Sequence, residues 1–368
     1  MSEIKYDFDD ILIVSKPTTR ITSRYKDIKL PETLPLFTAP MDTVVNLDNA
    51  MTFLHKGINV CLPRTINLVK EFKDALNFPQ LFETKSVGKY DNMIFHSVGL
   101  NDIDEICGFV HPRPLLKEIN NILIDVANGH MEQILYACER IRKVNPDIKI
   151  MVGNIGNPET YRWYAKSGLV DYIRVGIGNG GGCLTTKQSG VGYPMASLIA
   201  ETSLVKHKMR LDGIMEDQPT KLPAIVADGG MKDYADVIKA LGLGADYVML
   251  GSIFNKALES CAKNYKNGKE IDAATAEKLF NKGVEVTKHF RGMSTKGAQK
   301  AMGKTEIKTS EGVVRYRPVE YTLQMWVENF DHYLRNAMSY ANARTLDEFI
   351  GKAEFIQITK NAYDRFNK

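Results

Sequence analysis

The chain has 368 residues, 44% of them hydrophobic and 25% charged, enough for one large globular domain or two average ones. Its net charge of +4 is small and its lysines and arginines are scattered, which argues against a dedicated nucleic-acid surface. Five widely spaced cysteines (Cys61, Cys107, Cys138, Cys183, Cys261) without a CxxC pair indicate neither a zinc site nor a disulfide framework, and no apolar run is long enough for a membrane span. The stretch from Met1 to Asp7 lacks an apolar signal core, so a reducing cytoplasm, where a free thiol stays reactive, is the expected setting.

Short β-branched runs predict eight strands, at residues 34–39, 58–61, 93–98, 122–127, 148–152, 172–175, 224–227 and 247–250. Their nearly continuous apolar character fits strands covered on both faces. Segments with helical spacing lie between them, such as 131–144 (Ile134, Leu135, Ala137, Cys138, Ile141) and 234–241. Eight strands alternating with helices over about 250 residues predict an α/β fold, a (β/α)8 TIM barrel. An open doubly wound sheet is the alternative, because periodicity does not count closure. After Ser252 the alternation stops. A polar stretch at 264–269 is followed by a charged, apolar-poor segment at 304–317, which reads as a loop within a mobile flap at about 280–320. A helical segment at 321–343, in an extension to 368, is expected to pack on the barrel or on another subunit. No repeat or linker divides the chain, so residues 1–368 are expected to form one barrel domain.

Most strands run into polar or glycine-rich loops, at 39–42, 125–129, 152–154, 176–186, 227–230 and 250–252. In a parallel barrel these loops share one face, where active sites are built. The turns Gly229-Gly230 and Gly251-Ser252 follow the seventh and eighth strands, the usual place for a phosphate held by backbone N–H groups and a helix N-terminus. The most informative loop is Gly176-Ile177-Gly178-Asn179-Gly180-Gly181-Gly182-Cys183-Leu184-Thr185-Thr186. Its glycines let backbone approach an ion or phosphate closely. A thiol with a hydroxyl two residues on offers a nucleophile and a proton-transfer partner. Taken alone, the same loop also fits a flexible surface turn with an incidental buried cysteine.

Further matches come in order: Asp7-Phe8-Asp9-Asp10-Ile11-Leu12, Thr22-Ser23-Arg24, Ala39-Pro40-Met41-Asp42-Thr43-Val44 and Asp125-Val126-Ala127-Asn128-Gly129. The cysteine loop, Ala227-Asp228-Gly229-Gly230, Gly244 to Gly251, Arg291-Gly292-Met293-Ser294 and Ser310-Glu311-Gly312 continue them. Together they resemble the IMP dehydrogenase/GMP reductase family of purine-nucleotide barrels, from about Tyr6 to about Thr359. Each motif is weak alone and the ordered set is specific. The resemblance implies that Cys183 adds to the electrophilic purine C2 and that the adduct exchanges hydride with a nicotinamide. It implies a monovalent-cation site, with K+ held by the backbone carbonyls of Gly178, Gly180 and Cys183. Asp228 is implied to take the ribose hydroxyls, and Gly229, Gly230, Gly251 and Ser252 to surround the 5′-phosphate. Gly292, Met293 and Ser294, with Lys308 and Gly312, are implied on the substrate side. Ser23, Arg24, Asp125, Val126, Ala127, Ile177, Gly178 and Tyr340 match positions near the cofactor. Family members are tetramers or larger, which implies a homotetramer or larger here.

Within the family, the residues resemble the GMP reductases more than the IMP dehydrogenases. Dehydrogenases use an Arg-Tyr pair on the flap to activate water. No arginine or tyrosine lies between Met293 and Glu311 here, and Arg315-Tyr316 comes after the acidic residue. The run from Lys187 to Pro194 and Asp125-Val126-Ala127-Asn128-Gly129 also resemble the reductases. The resemblance then implies GMP and NADPH as substrates, with Thr185 and Glu311 protonating the departing amine. Departures remain: Gly181 stands where a phosphate-contacting serine is usual, and Leu62-Pro63-Arg64 replaces a His-Lys or His-Arg pair near the cofactor. Leu184 follows the cysteine, and Lys308 stands where reductases usually carry arginine. These changes leave the nucleophile intact and keep open a related, deoxy or modified purine nucleotide. IMP dehydrogenase, a nucleotide-binding sensor and a flavin-dependent phosphate-binding barrel are the competing readings.

Overall fold

A first short strand, β1 (Ile11–Val14), precedes a parallel sheet of eight. These are β2 (Leu36–Thr38), β3 (Val60–Leu62), β4 (Ile94–Val98), β5 (Asn121–Asp125), β6 (Lys149–Ile155), β7 (Tyr172–Val175), β8 (Ala224–Asp228) and β9 (Tyr247–Leu250). The structure is a computed structural model, and it describes residues 3–71, 88–108, 115–215, 221–303, 306–307, 309–310 and 312–366. The strands lie side by side in the order β2-β9-β8-β7-β6-β5-β4-β3. At the remaining seam, Thr38 N–H donates to the Asn59 carbonyl at 2.9 Å and Asn59 N–H to that of Leu36 at 3.0 Å. The Cys61 N–H donates to Thr38 Oγ1 at 3.0 Å. These bonds decide for the barrel over the open sheet.

All eight predicted strands are found. The largest shift is at β6, which runs on to Ile155 through a register change against β7 at Gly153, in a stretch the sequence reads as loop. The barrel interior is filled by Phe37, Ala39, Cys61, Phe95, Leu123, Met151, Val226 and Met249. Phe37, Phe95, Tyr172 and Tyr247 meet edge-on, with ring centroids 5.2 to 6.1 Å apart. Tyr172 and Tyr247 open their strands, so this cluster plugs the N-terminal end. The helix Gln133–Val144 buries Ile134, Ala137, Cys138 and Ile141 at helical spacing against the barrel.

The segment after the barrel departs from the sequence reading. Strands β10 (Asn264–Lys266), β11 (Lys269–Ile271), β12 (Thr287–Arg291) and β13 (Val314–Pro318) form an antiparallel sheet in the order β11-β10-β12-β13. The polar stretch at 264–269 is a hairpin turning at Asn267-Gly268, both at positive φ, as a tight two-residue turn requires. The end of the predicted loop at 304–317 is strand β13, registered against β12 from Arg291↔Val314 to Thr287↔Pro318. The helix Leu323–Tyr340, capped by Thr322, packs on the barrel through Leu323, Trp326, Phe330, Leu334 and Met338. A last strand, β14 (Glu354–Gln357), pairs with β1. Among the described residues no helix is long and apolar enough to cross a membrane.

Candidate active site

The loops at the C-terminal end of the barrel enclose a cleft of about 350 Å3. Its lining includes Cys183, Thr185, Asp228, Gly229, Gly230, Gly251, Ser252, Gly292, Met293 and Ser294. The proposed cofactor-side residues Asp125, Val126, Ala127, Ile177 and Gly178 line it too, with Gly180. Residues from five separate segments, from Asp125 to Ser294, are thus brought to one place. Gly312 touches the site by pairing with Cys183 in an antiparallel bridge. Lys308 and Glu311 lie outside the described residues. Ser23, Arg24 and Tyr340 are not brought into the cleft. They sit together along the helix Leu323–Tyr340, where Arg24 Nη1 donates to Asn336 at 2.9 Å and the Tyr340 carbonyl accepts from Lys16 N–H at 2.9 Å.

Backbone contacts shape the cysteine loop. Cys183 N–H closes a turn on the Gly180 carbonyl at 2.9 Å. Val313 N–H donates to the Gly182 carbonyl, and Gly292 N–H to that of Val313, each at 3.1 Å. A Cβ at Gly292 would lie 2.5 Å from the Gly182 carbonyl oxygen, so only glycine permits this seam. At Gly229, with φ +88°, a Cβ would lie 3.0 Å from the Gly180 backbone nitrogen. The Cys183 thiol is half-buried and lies 3.2 Å from Thr185 Oγ1. The helix after Gly251 is a single turn, Ser252–Asn255, so this wall offers backbone N–H groups and the Ser252 hydroxyl more than a helix end. Burial raises the thiol pKa of the other cysteines, to about 12 at Cys138 and Cys261, which makes them packing residues.

A charged cluster forms the floor. Arg174, in the middle of β7, donates to Asp125 Oδ1 at 2.6 Å and to Asp228 Oδ2 at 2.7 Å. Asn154 Nδ2 adds a 2.8 Å bond to the same Asp228 oxygen. Burial opposes the Arg174 charge, but Asp228 and Asp125 outweigh it and hold its pKa above the ordinary value. Both Arg174 and Asn154 bond to Asp228 Oδ2, and Asp228 lines the cleft. Sequence reasoning missed Arg174 and Asn154. The available signal was a lone arginine inside an apolar strand, which requires buried acid partners. Arg64 Nη1 donates to the Asp125 carbonyl at 3.3 Å, and its buried Nε has no partner among the described residues. An orphaned cationic donor beside Asp125 and Ala127 suits an anionic cofactor group. Arg291 pairs with Asp42 and so ties the Gly292-Met293-Ser294 segment to the loop after β2.

Residues 5–365 match the model of the IMP dehydrogenase/GMP reductase domain, and the chain belongs to that family. It is 27% identical to human GMP reductase 1 over 372 residues, covering 98% of this chain and 96% of the relative. It is 29% identical to the GMP reductase of Onchocerca volvulus over 386 residues, covering 99% and 94%. The GMP reductase of Caenorhabditis elegans is 28% identical over 379 residues, covering 99% and 95%.

Proposed function

We propose that this protein is an oxidoreductase of the GMP reductase type, converting GMP to IMP and ammonia at the expense of NADPH. The observation that carries the reading is the Cys183 thiol, held 3.2 Å from the Thr185 hydroxyl in a cleft walled by two glycine turns at late strand ends. Cys183, as thiolate, adds to C2 of the guanine ring. The bond from C2 to its amino group then breaks, and ammonia leaves as Thr185 and Glu311 deliver and position the proton. When bound, NADPH supplies the hydride that reduces C2 as the thiolate departs. Asp228, held by Arg174 and Asn154, fixes the ribose, while Gly229, Gly230, Gly251 and Ser252 receive the phosphate. Gly292, Met293 and Ser294 would lie against the base, with Gly312 on the same side, and Lys308 is assigned a substrate contact on the family resemblance alone.

The cofactor would be held by Asp125, Val126, Ala127, Ile177 and Gly178, with Arg64 Nε as a free donor to its anionic part. The carbonyls of Gly178, Gly180 and Cys183 are neutral hard oxygens, the donor type that suits K+. Among the described residues no group of three or more His, Cys, Asp or Glu side chains competes for a metal. Ser23, Arg24 and the exposed Tyr340 share a ridge outside the cleft, which fits a cofactor site completed by a neighbouring copy in a cytoplasmic homotetramer or larger. Residues 280–320 act as the flap of a single barrel domain. The dehydrogenase alternative is disfavoured by Arg315 and Tyr316, which stand on β13, with Tyr316 packed edge-on against Tyr265 and His289.

Incubation with GMP plus NADPH, and separately with IMP plus NAD, tests the assignment by absorbance and ammonia release. Ammonia with NADPH consumption is expected. NADH formation from IMP would transfer the protein to the dehydrogenase class.

A further inference from the structure

At the edge of the cleft, next to the lining residues Gly181 and Ser252, stands a cation that the scheme above does not use. Arg317 reaches from β13 toward the cysteine loop, and its Nη2 lies 3.3 Å from where a side chain at Gly181 would begin. Ser252 Oγ lies 3.9 Å from that same point, so Arg317, Gly181 and Ser252 frame one small space. The guanidinium is set on the face of Phe290, with its central carbon 4.2 Å from the ring centroid. Among the described residues no carboxylate pairs with it. Burial, and then the like charge of Arg315, lower its pKa. Arg174 is neutralised by Asp125 and Asp228, and Arg291 by Asp42, while Arg64 stands on the cofactor side of the cleft beside Asp125.

A half-buried guanidinium held by an aromatic ring and left without an anion is built to receive one, and its fork matches phosphate oxygens. The glycine at 181 has a steric counterpart in this arrangement. A side chain there would press on the Arg317 terminus, so the space is kept for the guanidinium and its ligand.

We propose that Arg317 is the charged contact for the 5′-phosphate and sets the requirement for a nucleotide over a nucleoside. This inference rests on the reading of the cleft as a purine-nucleotide site. It assigns the recognition usually given to a loop hydroxyl to an arginine from the flap sheet.

The test is calorimetric binding of GMP and guanosine in a Cys183→Ala background, where only association is read. Arg317→Met is expected to weaken GMP by about 10- to 100-fold, the range of a charge-assisted hydrogen-bonded contact, and to leave guanosine unchanged. Arg317→Lys, which keeps charge without the fork, falls between. Equal losses for GMP and guanosine, or no loss for GMP, would overturn the proposal while the nucleotide reading stands. A parent protein that binds neither compound would remove the nucleotide reading itself. Should Arg317→Met fail to fold, Arg317→Gln carries the same expectation and the same refuting results.

Discussion

The two ends of the barrel are made by the same strands and solve opposite problems. In β7, Tyr172 and Arg174 are two residues apart and therefore face the same interior. Tyr172 joins Phe37, Phe95 and Tyr247 in the aromatic plug, which asks only for shape. Arg174 enters a medium where charge is costly, and it persists because Asp125 and Asp228 converge on it from β5 and β8. One end stores stability. The other spends part of it on a preorganised polar floor.

That contrast is open to direct attack. The largest effect is expected from Arg174→Met, which leaves two neighbouring carboxylates without their cation. Urea unfolding should show a loss of about 3–5 kcal/mol, together with weakened GMP binding. Phe95→Ala, at the opposite end, should cost about 3 kcal/mol through its cavity and leave KM for GMP unchanged. A KM shift in that variant as large as in Arg174→Met would erase the division between the two ends.

A smaller effect sharpens the comparison from outside the barrel. Asp236 is buried in the helix Tyr234–Leu243, and burial followed by the charge of Asp233 pushes its pKa from 3.8 to about 6. The folded state therefore holds this proton more tightly than the unfolded chain. Its contribution to stability is complete below the unfolded value and is lost as pH rises from about 4 to about 6. Asp236→Asn should gain roughly 1–2 kcal/mol at pH 7.5 and nothing at pH 4, as read from denaturation midpoints. An equal gain at both pH values would show that the carboxylate charge is not responsible.

The barrel is legible in the sequence because its strands are buried on both faces and read as apolar runs. The antiparallel sheet is not, since β13 is a largely exposed strand carrying Arg315 and Arg317, whose charges look like loop. The Asn267-Gly268 turn was a visible hairpin signal, hidden among lysines. At the site, Cys183, Thr185, Asp228 and the glycine turns are legible because each sits in a compact local motif. Arg174 and Arg317 are not, because their meaning lies in partners from other strands: Asp125 is 49 residues from Arg174 and Asp228 is 54. Ser23, Arg24 and Tyr340 show the opposite limit, since a matching motif places a residue in the fold but not in a given cleft.

The central claim is that the Cys183 sulfur bonds transiently to the purine. Intact-protein mass spectrometry after quenching with excess GMP tests it most directly. The account predicts an added mass equal to GMP less ammonia, mapped to the peptide containing Cys183 and absent from Cys183→Ala. An adduct on another residue, or full turnover by Cys183→Ala, would contradict it.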